Sequence, residues 1–313
     1  MKTALIVGCE GQDGRLVTEL LLAQGYAVLG LARHVVHSVN VSWDRPVDIL
    51  NQEAVFDLMK VVPFDEIYYL AAYHQSSQDP FQDNTVLFKQ SHAINVEGLL
   101  NLLEAIKTQG SQARLFYAAS SLIFASTATD VQDEQTSFAP DSFYGMTKLN
   151  GLLLCRYYRQ QHGVFVATGI LYNHESAYRS ASFISTKIVR AAVNIKQGKQ
   201  NDLVVGDLNA CTDWGYAPDY VVAMQQILKL PQGDEFVIAT GQQHSVRDFV
   251  QIAFDCVGLD WKNYVKEDPA IMTRKRRPLV GSPQKLISVT GWHPTVDFKG
   301  MIKNLVEAQG ACV

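Results

Sequence analysis

Apolar and polar positions in the first half of the chain switch repeatedly between two periods. Thr3–Val7 is a short apolar run that ends in a glycine cluster. After it, Arg15–Gln24 places Leu16, Leu20 and Ala23 on one helical face, and Gly25 stops the helix. Tyr26–Leu31 reads as a strand, Glu53–Val61 as a helix and Glu66–Ala72 as a strand. Ala93–Gln109 keeps a strong helical period, Arg114–Ala119 is the next strand, Tyr144–His162 a long helix and Val164–Leu171 another strand. Strands alternating with helices across short turns predict an α/β fold: a doubly wound parallel sheet covered on both faces. The alternation weakens after Leu171, and the last third mixes short strands, helices and Pro/Gly turns. This pattern predicts a Rossmann domain from 1–171 and 201–240, with a small discontinuous C-terminal substrate lobe from 172–200 and 241–313.

Composition narrows the function classes. A formal charge of −4 gives no general attraction to nucleic acid or to anionic lipid. No apolar run approaches the length of a membrane span, and the first one is too short and too interrupted for a signal peptide. The five cysteines (Cys9, Cys155, Cys211, Cys256, Cys312) are scattered without CxxC spacing, so neither a disulfide framework nor a zinc site follows and a reducing cytoplasm is expected. His74, His92, His162, His244 and His293 show no metal-ligand spacing, and no metal is expected.

Local sites must therefore carry the function. The first strand runs into Gly8-Cys9-Glu10-Gly11-Gln12-Asp13-Gly14 and then into a helix. A pyrophosphate approaches backbone N–H groups at a helix N-terminus only where side chains are absent, so this loop is expected to hold a dinucleotide. At the end of the second strand an acid would bind a ribose 2′-hydroxyl. The chain instead has Arg33, which suits a 2′-phosphate and favours NADP, with NAD as the alternative. Asp48-Ile49, expected to follow the third strand, would suit a contact at the adenine edge.

Tyr144 and Lys148 stand four residues apart at a helix start, on one face. A lysine beside a phenol lowers its pKa and can hold a ribose, and a phenolate can take a proton from a hydroxyl as hydride leaves the same carbon. The hydroxyls of Ser120 and Ser121, one strand earlier, can reach the same oxygen.

These residues reach a recognisable family. The chain resembles the extended short-chain dehydrogenase/reductases that modify nucleotide sugars, and within them the GDP-mannose 4,6-dehydratase group. The resemblance rests on GQDG (Gly11–Gly14), DEIYYLAA (Asp65–Ala72), RLFYAASS (Arg114–Ser121) and YGMTK (Tyr144–Lys148). It continues through GILYNHES (Gly169–Ser176), DWGYAPDYV (Asp213–Val221), ATGQQHSVRDF (Ala239–Phe249) and GWHP (Gly291–Pro294). It implies NADP, a GDP-linked nucleotide-sugar substrate and a homodimer or homotetramer. It also implies cofactor contacts from Arg33, Leu70, Ala71, Ala72, His174 and Arg179, and sugar-nucleotide contacts from Asn173 and Lys187.

The chain departs from that pattern where the chemistry is decided. The dehydratases carry a threonine followed two positions later by glutamate; here Ser121 stands for the threonine and Ile123 for the glutamate. Loss of water across C5–C6 of a 4-keto sugar needs a base at C5 and an acid at the C6 hydroxyl, and isoleucine supplies neither. Thr212 replaces an arginine expected near the substrate phosphates; Arg274, Lys275, Arg276 and Arg277 are either a compensating clamp or a solvated basic loop. The segment LVGSPQKL followed by GWHP also resembles GDP-4-keto-6-deoxymannose reductases. The expected reaction is hydride chemistry at sugar C4, by a ketoreductase or C4 epimerase, with Ser121, Tyr144 and Lys148 as its residues. The alternatives are a dehydratase using another carboxylate, such as Glu175 or Asp83, and an inactive NADP-binding sensor.

Overall fold

In the computed structural model, which describes residues 1–33, 35–73, 83–271 and 277–310, seven strands form the central sheet. They are β1 (Thr3–Val7), β2 (Ala27–Ala32), β3 (Val35–Val39), β4 (Glu66–Tyr69), β5 (Arg114–Ser120), β6 (Val166–Leu171) and β7 (Glu235–Ile238). The order is β7-β6-β5-β4-β1-β2-β3, parallel except for β3. Strand periodicity explains the apolar runs. Leu5 and Val7 join one core, while Ala4 and Ile6 join another on the opposite face. A strand buried on both sides has no polar face, so it reads as continuous rather than alternating.

Helices α1 (Gln12–Ala23) and, later in the chain, Ala217–Leu228 cover one face. Helices α2 (Gln52–Val61), α3 (Asn84–His92), α4 (Gly98–Thr108) and α5 (Phe143–His162) lie in sequence order, and α2, α4 and α5 pack the other core. A third core gathers around α6 (Ile184–Lys196), α8 (Val246–Cys256) and α10 (Phe298–Ala308), with α7 denoting Ala217–Leu228 and α9 Gln284–Thr290. Trp214 is buried there between Phe249 and Phe298, a packing residue rather than a stacking platform. The strands Asn173–Glu175, Cys211–Tyr216 and Gln243–Ser245 form a small separate sheet beside this core.

Four details differ from the sequence expectation. The sheet is not wholly parallel, because only residues 33 and 34 separate β2 from β3, too few for the crossover that a parallel neighbour needs. Asp48-Ile49 accordingly follow an irregular stretch, not a parallel third strand. Helix α1 begins at Gln12, directly on the glycine loop, although Gly14 weakens the helical signal there. The helix expected from Ala93 begins at Asn84 and passes through a π-turn at Ala93–Glu97.

Two buried carboxylates tie the sheet to the rest of the chain. Asp213 accepts from the Thr240 N–H (3.0 Å) and hydroxyl (2.5 Å), the Gly241 N–H (3.0 Å) and the Gly281 N–H (3.2 Å). Asp219 takes the N–H groups of Thr295 (2.9 Å) and Val296 (3.2 Å) and the Thr295 hydroxyl (2.5 Å), while its carbonyl receives Trp292 Nε1 (2.9 Å). The motifs around Asp213 and Trp292 thus hold three distant segments together. Asp219→Ala leaves buried donors without an acceptor and is expected to cost about 2–4 kcal/mol, read as a lower urea midpoint at unchanged slope; an unchanged midpoint would refute the hub.

Candidate active site

The glycine loop lies at the C-terminal edge of the sheet, where β1 hands over to α1. Gly8 has φ +94°, and its N–H and that of Cys9 both donate to the Leu31 carbonyl at 2.7 and 3.2 Å. A Cβ at Gly8 would meet the Ala71 nitrogen at 2.7 Å, so the Leu70–Ala71 backbone lies against the loop. At Gly14 a Cβ would collide with the Gly8 carbonyl and meet Cys9 Cα at 2.6 Å. Internal packing therefore explains both glycines. Gly11 is different: a Cβ there would meet only the Gly8 carbonyl oxygen, at 3.3 Å, and no side chain caps the helix it begins. An open backbone at a helix N-terminus suits a dinucleotide pyrophosphate.

Arg33 follows β2 directly and is exposed beside this edge, and Ala72 is exposed where the chain leaves β4. Asp48 is exposed and turned inward on its own loop, taking the Leu50 N–H at 2.9 Å. Ile49 packs towards Gly98, and its carbonyl receives Asn101 Nδ2 at 2.8 Å.

The loop is clasped from across the sheet by the segment after β6. Gln12 Nε2 donates to the His174 carbonyl (3.0 Å), and Ser176 Oγ donates to Gln12 Oε1 (2.9 Å). His174 Nε2 lies 2.9 Å from Asp13 Oδ1. Burial alone would raise the Asp13 carboxyl, but the His174 charge and hydrogen bond hold it below its usual value. His174 therefore meets the cofactor loop through Asp13. Arg179 is held between Glu175, at 3.2 Å, and the Phe183 ring, 3.6 Å from its centroid. Asn173 is exposed on its short strand, and Lys187 is half-buried on α6, its ammonium pKa lowered by desolvation. Arg274 and Arg276 lie outside the described residues; Arg277 is exposed, 3.8 Å from Asp130.

Helix α5 brings Tyr144 and Lys148 to the same edge. Ser142 caps it by accepting the Gly145 N–H at 3.3 Å, and a Cβ at Gly145 would strike the Leu122 carbonyl at 2.6 Å. The helix start thus sits tightly beneath the turn Ser121–Phe124. Lys148 is 1 % exposed and donates Nζ to the Ala118 carbonyl at 2.7 Å. Burial brings its pKa down to about 7, with Asp13 opposing the shift. Burial likewise raises the Tyr144 phenol to about 12, against the pull of Arg179 and a hydrogen bond with Ser120. Burial thus outweighs the pull of Arg179 on the phenol, and Lys148 Nζ lies 5.8 Å from the centre of the Tyr144 ring.

Of the expected serine pair, Ser120 hydrogen-bonds to Tyr144, and Ser121 is buried in the first position of its turn. A buried network beside them was not singled out from the sequence. Thr147 hydroxyl meets Ser91 Oγ at 2.7 Å, and Asn95 Nδ2 donates to both, at 3.0 and 3.1 Å. This buried network braces α5 against the π-turn; the turn itself was the only local signal, and amphipathic periodicity hides it. Ile123 is fully buried in the apolar core with Phe124. Glu175 accepts from Ser185 at 2.6 Å and pairs with Arg179, and Asp83 caps α3 through the Thr85 N–H at 2.8 Å. Thr212 lies in the small sheet opposite His244.

The family model for GDP-mannose 4,6 dehydratase matches residues 5–305. The chain is 36% identical to GDP-mannose 4,6 dehydratase 2 of Arabidopsis thaliana, over 98% of this chain and 86% of that protein. It is 31% identical to GDP-mannose 4,6-dehydratase of Vibrio cholerae, over 97% of this chain and 93% of that one. Among solved structures, RMD from Pseudomonas aeruginosa complexed with NADPH superposes with a TM-score of 0.84 at 23% identity, covering 100% of both chains.

The two inner glycine positions should respond differently to a methyl group. Gly14→Ala is expected to destabilise the fold by about 1–3 kcal/mol, because backbone lies where the Cβ would go. Gly11→Ala is expected to leave the melting temperature nearly unchanged and to weaken dinucleotide binding, measured by NADPH fluorescence. Equal melting temperatures for the two variants would contradict this geometry.

Proposed function

The chain belongs to the GDP-mannose 4,6-dehydratase family, and from that premise we propose that it performs NADP-dependent hydride chemistry at C4 of a nucleotide sugar, as a 4-ketoreductase or C4 epimerase. The observation that carries this reading is Ile123. It occupies the place of the dehydratase glutamate and is 0% exposed in an apolar core, whereas Ser120, Ser121, Tyr144 and Lys148 keep the hydroxyls and ammonium that exchange at one carbon requires. Converting Ile123 to glutamate would bury a carboxylate among apolar neighbours, which costs several kcal/mol unless it is paired.

The chain supports the cofactor by its own residues. The glycine loop would hold the pyrophosphate, Arg33 a 2′-phosphate and Leu70–Ala72 the adjoining edge, and an NADPH complex of RMD fits the same preference. When bound, NADP(H) supplies or accepts the hydride. Tyr144, whose phenol burial pushes further up, to about 12, gives its proton to the substrate O4 in the reductive direction. A serine hydroxyl of the Ser120–Ser121 pair orients that oxygen, and Lys148 stays close enough to Tyr144, 5.8 Å from its ring, to hold a ribose hydroxyl beside it. Asn173 and Lys187 would meet the nucleotide sugar.

Dehydration is the second reading, favoured by the relatives' names. It needs a carboxylate at C5, yet Glu175 is engaged by Ser185 and Arg179, and Asp83 by the α3 N-terminus. The decisive experiment is mass spectrometry of products from a GDP-sugar panel with NADP(H). Two added hydrogens on a 4-keto sugar, or an isomer of unchanged mass, are the expected results. Loss of water from GDP-mannose would sink this reading, and absence of any turnover with NADPH still bound would favour a sensor. Tyr144→Phe is expected to lower kcat by about 10²–10⁴-fold with NADPH affinity retained.

A homodimer or homotetramer is also proposed. Met146, Leu153 and Tyr157 expose apolar surface along one face of α5, and Leu100 does so on α4. Tyr157→Asp is expected to shift the mass found by light scattering towards the monomer; a wild-type monomer would refute the assembly.

A further inference from the structure

Both ring nitrogens of His174 face atoms that can only accept a hydrogen bond. Nδ1 lies 2.6 Å from the Tyr172 carbonyl oxygen, and Nε2 lies 2.9 and 3.0 Å from the two carboxylate oxygens of Asp13. A neutral imidazole has one N–H and one bare lone pair, so in either tautomer one of these contacts would set lone pair against lone pair. With Asp13 ionised, as its lowered pKa leaves it above 3.8, imidazolium alone satisfies both. The ring also lies flat on the Tyr220 ring, with centroids 4.7 Å apart and planes 18° apart, where an aromatic face favours a cation.

We propose that His174 is a positioning residue: as an imidazolium it holds the dinucleotide loop through Asp13, and its protonation sets the affinity of that loop for NADP(H). This rests on the cofactor reading above. The groups around the ring are Asp13 from α1, Arg179 and Glu175 from its own segment, and the Tyr220 phenol from α7. Desolvation and the Arg179 charge push the imidazole down, but Asp13 outweighs them and its pKa is raised above the ordinary 6.5. Asp13 also acts electrostatically on Tyr144 and Lys148, so the state of this pair reaches the catalytic edge.

The direction of the pH dependence follows. The raised His174 contributes fully below 6.5, and its contribution is lost as pH climbs through its raised value. The lowered Asp13 contributes fully above 3.8, and its contribution is lost as pH falls through its lowered value. The clasp is therefore whole between pH 3.8 and 6.5 and opens on the alkaline side, as pH climbs through the raised His174 value.

The test follows ¹⁵N-histidine signals of the full chain by long-range ¹H–¹⁵N spectra across about pH 5.5–9.5, with and without NADPH. Two protonated ring nitrogens are expected for His174 at about pH 6, below the ordinary 6.5. NADPH affinity should weaken about tenfold above the His174 pKa, and by reciprocity NADPH should raise that pKa by about one unit. Asp13→Asn should return the ring to neutral and flatten the pH dependence of NADPH binding. A His174 ring carrying one bare nitrogen at about pH 6 overturns the proposal, as does a titration that NADPH leaves unmoved. The wild-type spectra decide this even where Asp13→Asn fails to fold. A wild-type protein that binds no NADPH overturns the cofactor reading and the claim on affinity, while the ring signals still decide the ion pair.

Discussion

The clasp between the glycine loop and the segment after β6 is the constraint on which the site depends. A loop of glycines has little conformational preference of its own. It becomes a rigid backbone cradle because Leu31 receives two of its N–H groups, Gly14 packs beneath Gly8, and Gln12 and Asp13 are tied to His174 and Ser176. The same contacts bring the small sheet containing Asn173–Glu175 against the C-terminal edge of the main sheet. The glycine loop and the segment after β6 are thus parts of one hydrogen-bonded unit, and the motifs GQDG and NHES are each other's partners.

The electrostatics of the catalytic edge follow from burial. Lys148 and Tyr144 are both removed from water, which disfavours ammonium and phenolate alike. Arg179, carried on the clasp segment and oriented by Glu175 and the Phe183 ring, pulls the phenol back down against burial. The alignment of α5 that makes this possible comes from Gly145 beneath the Leu122 carbonyl and from the buried Ser91–Asn95–Thr147 network.

The substitution at position 123 changes the site by more than one functional group. A carboxylate facing substrate would need solvation or partners, and the turn Ser121–Phe124 instead packs Ile123 and Phe124 into the core under β5. Thr212, opposite His244 in the small sheet, is likewise part of a structural ladder.

Much of the fold was legible in the sequence. Both-face burial writes a strand as an unbroken apolar run, so β1, β5 and β6 could be placed within two residues, as could α5 from its periodicity. The glycine spacing identified the loop, because close backbone approach excludes side chains wherever it occurs. Other features depend on distant groups and leave no local trace. The antiparallel β3, the pairing of Asp13 with His174 across 161 positions and the pull of Arg179 on the Tyr144 phenol are of this kind. Periodicity and spacing record which face a residue presents and where the backbone must bend. Ionisation and hydrogen bonding are set by which groups the folded chain brings within a few ångströms and by how much water it leaves between them.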